Sequence, residues 1–207
     1  MEKEIIIASG NKGKIKEAQE ILEGYKIISI KELGLDIDVE EDKETFEENA
    51  IKKAVEISKQ LNGKMCISDD SGIEIDYLDG FPGVFTKRWH AGTDRERNLE
   101  IIKKLKGVEK EKRKIKFTTA IALAEGNNVY TGVATIAGYV SEDVRGDNGF
   151  GFDEIFELED GRTLAELSDL EKNQISARKI ALQILQEKLS KIWFLLVNVV
   201  KLIMPCL

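Results

Sequence analysis

Asp69 and Asp70 stand side by side, followed at once by Ser71 and Gly72, and are the most chemically pointed group in this 207-residue chain. Adjacent carboxylates repel one another unless a cation or hydrogen-bond donors relieve the charge. Paired hard oxygen ligands suit Mg²⁺, which takes one or two protein carboxylates and fills its shell with water and substrate phosphates. The same residues also serve a plain acidic turn whose carboxylates accept local amides. A second carboxylate source lies upstream in Glu40-Glu41-Asp42 and could complete a shell begun by Asp70, although such a run also suits a solvated face.

Residues Ser9-Gly10-Asn11-Lys12-Gly13-Lys14 follow an apolar run and open a helical pattern. Free amides and the helix dipole favour an anion at such a place, and Lys12 and Lys14 add charge. The spacing is not that of a Walker A loop, and a strand-to-helix turn with exposed lysines explains it equally. In Asn148-Gly149-Phe150-Gly151-Phe152-Asp153 two glycines separate two aromatic rings. A ring there can stack on a base while flanking backbone groups bond its edge; the alternative is a glycine-kinked strand with core phenylalanines. Lys172 and Arg178 bracket the start of the last helix, where basic residues also serve as solvated side chains. His90 is the single histidine and no GxSxG elbow accompanies it, which argues against a catalytic triad.

Strands and helices that could position these groups alternate along the chain. Glu4 to Ala8, with three contiguous isoleucines, and Tyr25 to Ile30 have strand character, with a helix between them from Lys14 to Glu23. Lys31 to Glu44 is polar and acidic and reads as a connection. Thr45 and Glu48 have capping-box spacing, and Phe46, Ala50, Ala54, Ile57 and Leu61 then form one apolar stripe. Met65 to Ser68 predicts a strand ending in an acidic loop at Asp69–Gly72, and Ile73 and Ile75 a half-buried strand beyond it. Thr93 and Glu96 start a helix to Leu105; Phe117–Ala124 and Val129–Tyr139 predict a hairpin turned at Gly126-Asn127-Asn128. Gly146–Gly151 reads as a loop, Thr163 and Glu166 as another capping box, and Ser176 to about Leu189 as the last helix. The class is α/β.

Composition narrows the partners. A formal net charge of -7 argues against general nucleic-acid binding, which needs a basic face, but leaves room for a small anion in a local lysine cluster. Two cysteines and one histidine cannot supply a Cys/His zinc site, and the start lacks a secretory signal, so the cytoplasm is expected. Ile192 to Leu207 is strongly apolar but interrupted by Asn198, Lys201 and Pro205. It falls short of the roughly 20 apolar residues of a spanning helix, so a membrane location is not expected. It remains open as a buried terminal helix, a surface anchor or a tail foreign to the working domain.

The order of these segments resembles the inosine triphosphate pyrophosphatase family, enzymes that hydrolyse non-standard purine nucleoside triphosphates. Its opening T/S-x-N-x-x-K stands here as Ser9 to Lys14, its T-F-x-E-N-A as Thr45 to Ala50, and its DDSG as Asp69 to Gly72. Gly80-Phe81-Pro82-Gly83-Val84 with Arg88-Trp89 and Ala91-Gly92 is similar to its G-x-P-G-V-x-S-x-R-Y-A-G. Gly149 to Asp153 matches G-F-G-Y-D, and Lys172 with Ser176 to Arg178 partly matches K-x-x-x-S-H-R. The resemblance covers residue 5 to about 188.

It implies an elongated central mixed sheet flanked by helices, in one two-lobed domain over 1–189 with the nucleotide in the cleft, and a homodimer. Residues 190–207 lie past the usual family end. The resemblance also implies roles: Ser9, Gly10, Asn11, Lys12, Gly13 and Lys14 hold the triphosphate, and Asp70 is the catalytic acid/base and a magnesium ligand, with Glu41 a further ligand. Ser71 touches substrate, and Phe150, Gly151, Phe152, Asp153, Lys172 and Arg178 line the base and sugar side. The cofactor is Mg²⁺, and ITP, dITP and XTP are the expected substrates, cleaved to monophosphate and pyrophosphate. Two residues depart from the pattern: Ala177 replaces the family's histidine, and Glu154 follows Asp153 where proline is usual. The first leaves a second reading open, a nucleotide-binding member with weakened catalysis or altered base selectivity.

Overall fold

The structure, a computed structural model, describes residues 3–35 and 37–203, with side chains described through Lys191. Its strands are β1 (Lys3–Ile7), β2 (Tyr25–Ser29), β3 (Cys66–Ile75), β4 (Lys114–Glu125), β5 (Asn128–Val140) and β6 (Phe156–Glu157). Its helices are α1 (Lys12–Ile21), α2 (Phe46–Gln60), α3 (Asp94–Lys104), α4 (Asp169–Gln174) and α5 (Ala177–Ile203). The six strands form one mixed sheet in the order β2-β1-β3-β4-β5-β6. β1 runs parallel to β2 and β3, and the remaining pairs are antiparallel. This is the α/β architecture the sequence predicts, with helices on both faces.

Alternation along β4 decides which helix packs where. Ala120, Ala122 and Ala124 point one way and meet Ala50 and Ala54 of α2, small residues that let helix and sheet approach closely. Ile121 and Leu123 point the other way, into a core with Ala18 of α1 and Ala181, Leu182 and Leu185 of α5. A second large core lies farther along, where Ile73, Ile75 and Ile115 pack with Ile101 of α3, Ile155, Phe156 and Leu164. The 41–45 entry to α2 is fixed by Thr45, whose hydroxyl accepts the Glu48 amide at 3.1 Å.

Three sequence expectations change. Asp69–Gly72 is no loop: β3 passes through it unbroken, with Asp69 opposite Ile121 and Asp70 opposite Ala120. Opposite side-chain directions separate the two charges, so the repulsion that suggested a turn does not break the ladder. The last helix continues from Ala177 to Ile203 instead of ending near Leu189, so no secondary-structure break marks the expected edge of the domain. What the apolar tail's side chains touch lies outside the described residues, as do residues 204–207 altogether. Among the described residues, no helix is long and apolar enough to cross a membrane. Finally, α4 was not foreseen, although its own Ser168–Glu171 capping box is complete.

Helix α5 lies so close on β5 that a Cβ at Gly132 would sit 2.1 Å from the Ala181 carbonyl oxygen. Gly132→Ala is therefore expected to lower unfolding free energy by roughly 1–3 kcal/mol, as overpacked cores do. Urea titration checks this, and an unchanged midpoint would mean that α5 yields at no cost.

Candidate functional site

The site begins as a gap in a sheet. β1 pairs with β3 only at Cys66 and Ile67, and the chain then turns away into α1. Farther along, the same edge of β3 is covered again: the Ile73 amide donates to Thr86 Oγ1 at 3.0 Å and the Ile75 amide to the Phe81 carbonyl at 3.2 Å. Between these covers, side chains take over the backbone. Lys53 Nζ donates to the Asp69 carbonyl at 3.0 Å, and the Ser71 amide donates to Asp70 Oδ1 at 2.9 Å. Gly72 is required here because a Cβ would lie 2.3 Å from Thr86 Oγ1 and 2.7 Å from the Phe46 ring.

On one face of β3, Asp69 meets Lys14 Nζ at 2.7 Å and Arg178 Nη2 at 3.4 Å. Burial alone would raise the Asp69 carboxyl, but the cations of Lys14 and Arg178 outweigh it and hold it at about 2. Burial wins at Lys14, whose ammonium is pulled below its usual range despite the pairing. The pair is therefore worth less to stability than the aspartate alone suggests. Lys14 is carried by the first turn of α1, where Asn11 Oδ1 accepts the Gly13 amide at 2.9 Å and the Lys14 amide at 3.3 Å. That cap consumes two of the amides expected to face an anion.

On the other face stands Asp70, whose carboxyl is pushed up by burial first and by neighbouring Glu41 second. Burial opposes ionisation of Glu41 as well, but its ion pair with Lys53, together with Lys87 and Arg88, draws it below the usual range. Asp70 Oδ2 and Asn49 Nδ2 are buried and form no hydrogen bond of good geometry, although Asn49 lies near enough to favour the ionised Asp70. An orphaned carboxylate oxygen beside a second carboxylate is the environment that a hard cation would complete. Among the described residues no group of three His, Cys, Asp or Glu side chains converges, so any such ion would be held by these two carboxylates with water or phosphate.

A cavity of about 550 Å³ opens on the Ser71 face of the sheet, bounded by Ser71, Lys87, Phe150, Lys172 and Arg178. Of the predicted phosphate loop, Ser9, Asn11 and Lys14 reach it; Gly10, Lys12 and Gly13 are not among its walls. Nor are Asp70 and Glu41, which lie on the α2 face. The two sides meet at the gap in β3, where the charge of Lys87 is felt by both Lys14 and Glu41.

At the far end Phe150 is 68% exposed, with Lys172 Nζ 4.8 Å from its ring centre. Phe152 is buried and belongs to the second core, although it also edges the cavity. Asp153 fastens the loop by accepting the Phe150 amide at 2.8 Å and pairing with Lys172. Gly149, at φ +86°, leaves only 2.2 Å between a Cβ and that carboxylate. Ala177 is buried in the wall and its side chain offers no polar atom.

Sequence reasoning missed Lys53, Lys87, Asp94 and Arg97. Lys53 had a signal, since it lies one helical turn beyond Asn49 and therefore on the same face. Lys87 had none, because only the fold of the 81–86 turn brings it to the gap.

The sequence profile of the Ham1 family matches residues 5–188. The dITP/XTP pyrophosphatase of Bacillus subtilis is 47% identical over 197 residues, covering 92% of this chain and 96% of that protein. The protein of the same name from Bacillus licheniformis is 45% identical over 188 residues, covering 87% and 95%. The Ham1 protein of Staphylococcus aureus superposes with a TM-score of 0.84 at 37% identity, covering 91% of this chain and 99% of that one. The chain belongs to the Ham1 family.

Asp69 also sets an acid limb. Its carboxyl titrates near 2 when folded and near 3.9 when unfolded. Its contribution is thus present above about pH 4 and lost as pH falls through 2, on the order of 2 kcal/mol by linkage. Asp69→Asn is expected to flatten unfolding free energy across that window, and matching acid limbs would refute the assignment.

Proposed function

We propose that this Ham1-family chain hydrolyses non-standard purine nucleoside triphosphates, ITP, dITP and XTP, to the monophosphate and pyrophosphate, with Mg²⁺ as cofactor. The observation that carries this reading is the buried, unpartnered Asp70 Oδ2 beside Glu41, at a sheet-edge gap between a lysine cluster and a nucleotide-sized cavity. The relatives named above as dITP/XTP pyrophosphatases support the substrate class.

In this reading the triphosphate crosses the gap and the base lies towards Phe150. Water attacks the α-phosphorus, the bond to the bridging oxygen breaks, and pyrophosphate leaves with the displaced electron pair. Asp70 accepts the water's proton, acting as the general base. Lys14 and Lys87 face the charge that develops on the leaving group. Asp70 and Glu41 would hold Mg²⁺, which would supply charge neutralisation and a more acidic water. Ser9, Asn11 and Ser71 orient phosphate oxygens, whereas Gly10, Lys12 and Gly13 shape and charge the loop behind them. The Phe150 ring stacks on the base, Arg178 and Lys172 contact its sugar side, and Phe152, Gly151 and Asp153 shape the loop.

The working unit in this proposal is residues 1–189 as a single two-lobed domain, acting as a cytoplasmic homodimer, with 190–207 outside the chemistry. A second reading rests on Ala177: a nucleotide-binding member with weakened catalysis or altered base selectivity, because the wall lacks a polar contact there.

Turnover of ITP, XTP and dITP with Mg²⁺ should exceed that of ATP and GTP at least about tenfold, since a lost or mismatched base hydrogen bond costs that much or more. Pyrophosphate should be released and chelation should stop it; orthophosphate as sole product would sink the proposal, and tight ITP binding without turnover would favour the second reading. Asp70→Asn should lower kcat by about 10²–10⁴, the range for a lost general base. Its melting temperature should not fall, because the change removes a charge that burial and Glu41 both disfavour.

A further inference from the structure

The exposed ring of Phe150 is held from an element distant in sequence. Gly151, its neighbour, has left-handed φ of +66°, and both its backbone groups are taken by side chains of α3. Its amide donates to Asp94 Oδ2 at 2.8 Å, and its carbonyl accepts from Asn98 Nδ2 at 2.9 Å. Asp94 and Asn98 are one helical turn apart, so a single face of α3 grips one peptide in both directions. Asn98 is fully buried and its nitrogen also reaches Glu154 Oε2 at 3.1 Å, so water cannot replace it. Asp94 is braced in turn by Arg97, whose guanidinium is anchored on the Gly92 carbonyl at 2.8 Å. Asp94 and Arg97 are themselves walls of the cavity.

We propose that Asp94 and Asn98 are positioning residues for purine binding: their grip on Gly151 fixes the Phe150 ring as a platform for the base. The inference rests on the reading of the Phe150 end as the base side. It also explains why the Phe150–Gly151 segment offers a ring and not its backbone. The Phe150 amide is bound to Asp153 and the Gly151 groups to α3, which leaves the exposed ring as the contact of that segment. Ring placement of this kind acts equally on ground and transition states, and its loss raises KM with little change in kcat.

Asp94 is about half exposed, so Asp94→Ala tests the grip without emptying a core. In the full chain with Mg²⁺, Asp94→Ala should raise KM for ITP about tenfold with kcat within about twofold of wild type. Calorimetry should show inosine monophosphate bound about tenfold more weakly and inorganic triphosphate unchanged. Asp94→Asn, whose amide oxygen still accepts from Gly151, should restore both values, and Asn98→Ala should repeat the split if folded. Weakening of monophosphate and triphosphate in parallel, or no weakening at all, would overturn the grip. A wild type that binds inorganic triphosphate but not inosine monophosphate would overturn the base-side reading itself, and the grip with it.

Discussion

Neighbouring side chains on an extended strand point to opposite faces, and β3 applies that rule to two carboxylates in succession. Asp69 goes to the α1 and α5 side, where Lys14 and Arg178 neutralise it. Asp70 goes to the α2 side, where burial and a second carboxylate, Glu41, outweigh the nearby Lys53 ammonium. One aspartate is therefore spent on structure and held strongly ionised, while its neighbour is left under-compensated. Had the pair occupied a flexible turn, both could have swung towards the same lysine and neither would be available for chemistry.

The premature end of β1 matters as much. A parallel neighbour running the full length of β3 would bury the Asp69–Ser71 edge in backbone hydrogen bonds. Because β1 stops at Ile7, Lys53 and the Asp70 carboxylate itself satisfy that edge. Side-chain partners can give way or turn towards a ligand; a backbone ladder cannot. The small residues on α2 and β4 bring the helix near enough for Lys53 and Asn49 to reach the gap.

Much of this was legible before any coordinates. Capping spacing placed α2 and α3 within a residue, and the paired strands around Gly126-Asn127 were clear from β-branched composition and turn chemistry. Membership of the family was equally legible, because six ordered motifs carry it. What escaped was tertiary. The acidic residues read as a loop since local repulsion was weighed without the alternation that separates them. The amides of the Ser9–Lys14 turn were counted as free, although Asn11 claims two of them. Asp94 and Asn98 looked like ordinary members of a capped polar helix, because nothing local announces a partner more than fifty residues away.

The unbroken ladder between β3 and β4 has a consequence for heredity. A single codon gained or lost between Cys66 and Asp69 would shift the register by one and send each aspartate to the other's face. A loss would bring Asp70 to the place among the cations, and a gain would bring Asp69 to the place beside Glu41. Length changes in this gene should therefore be filtered out of the strand and collect at the Gly126-Asn127 tip or in the 31–44 connection, where no such parity is at stake.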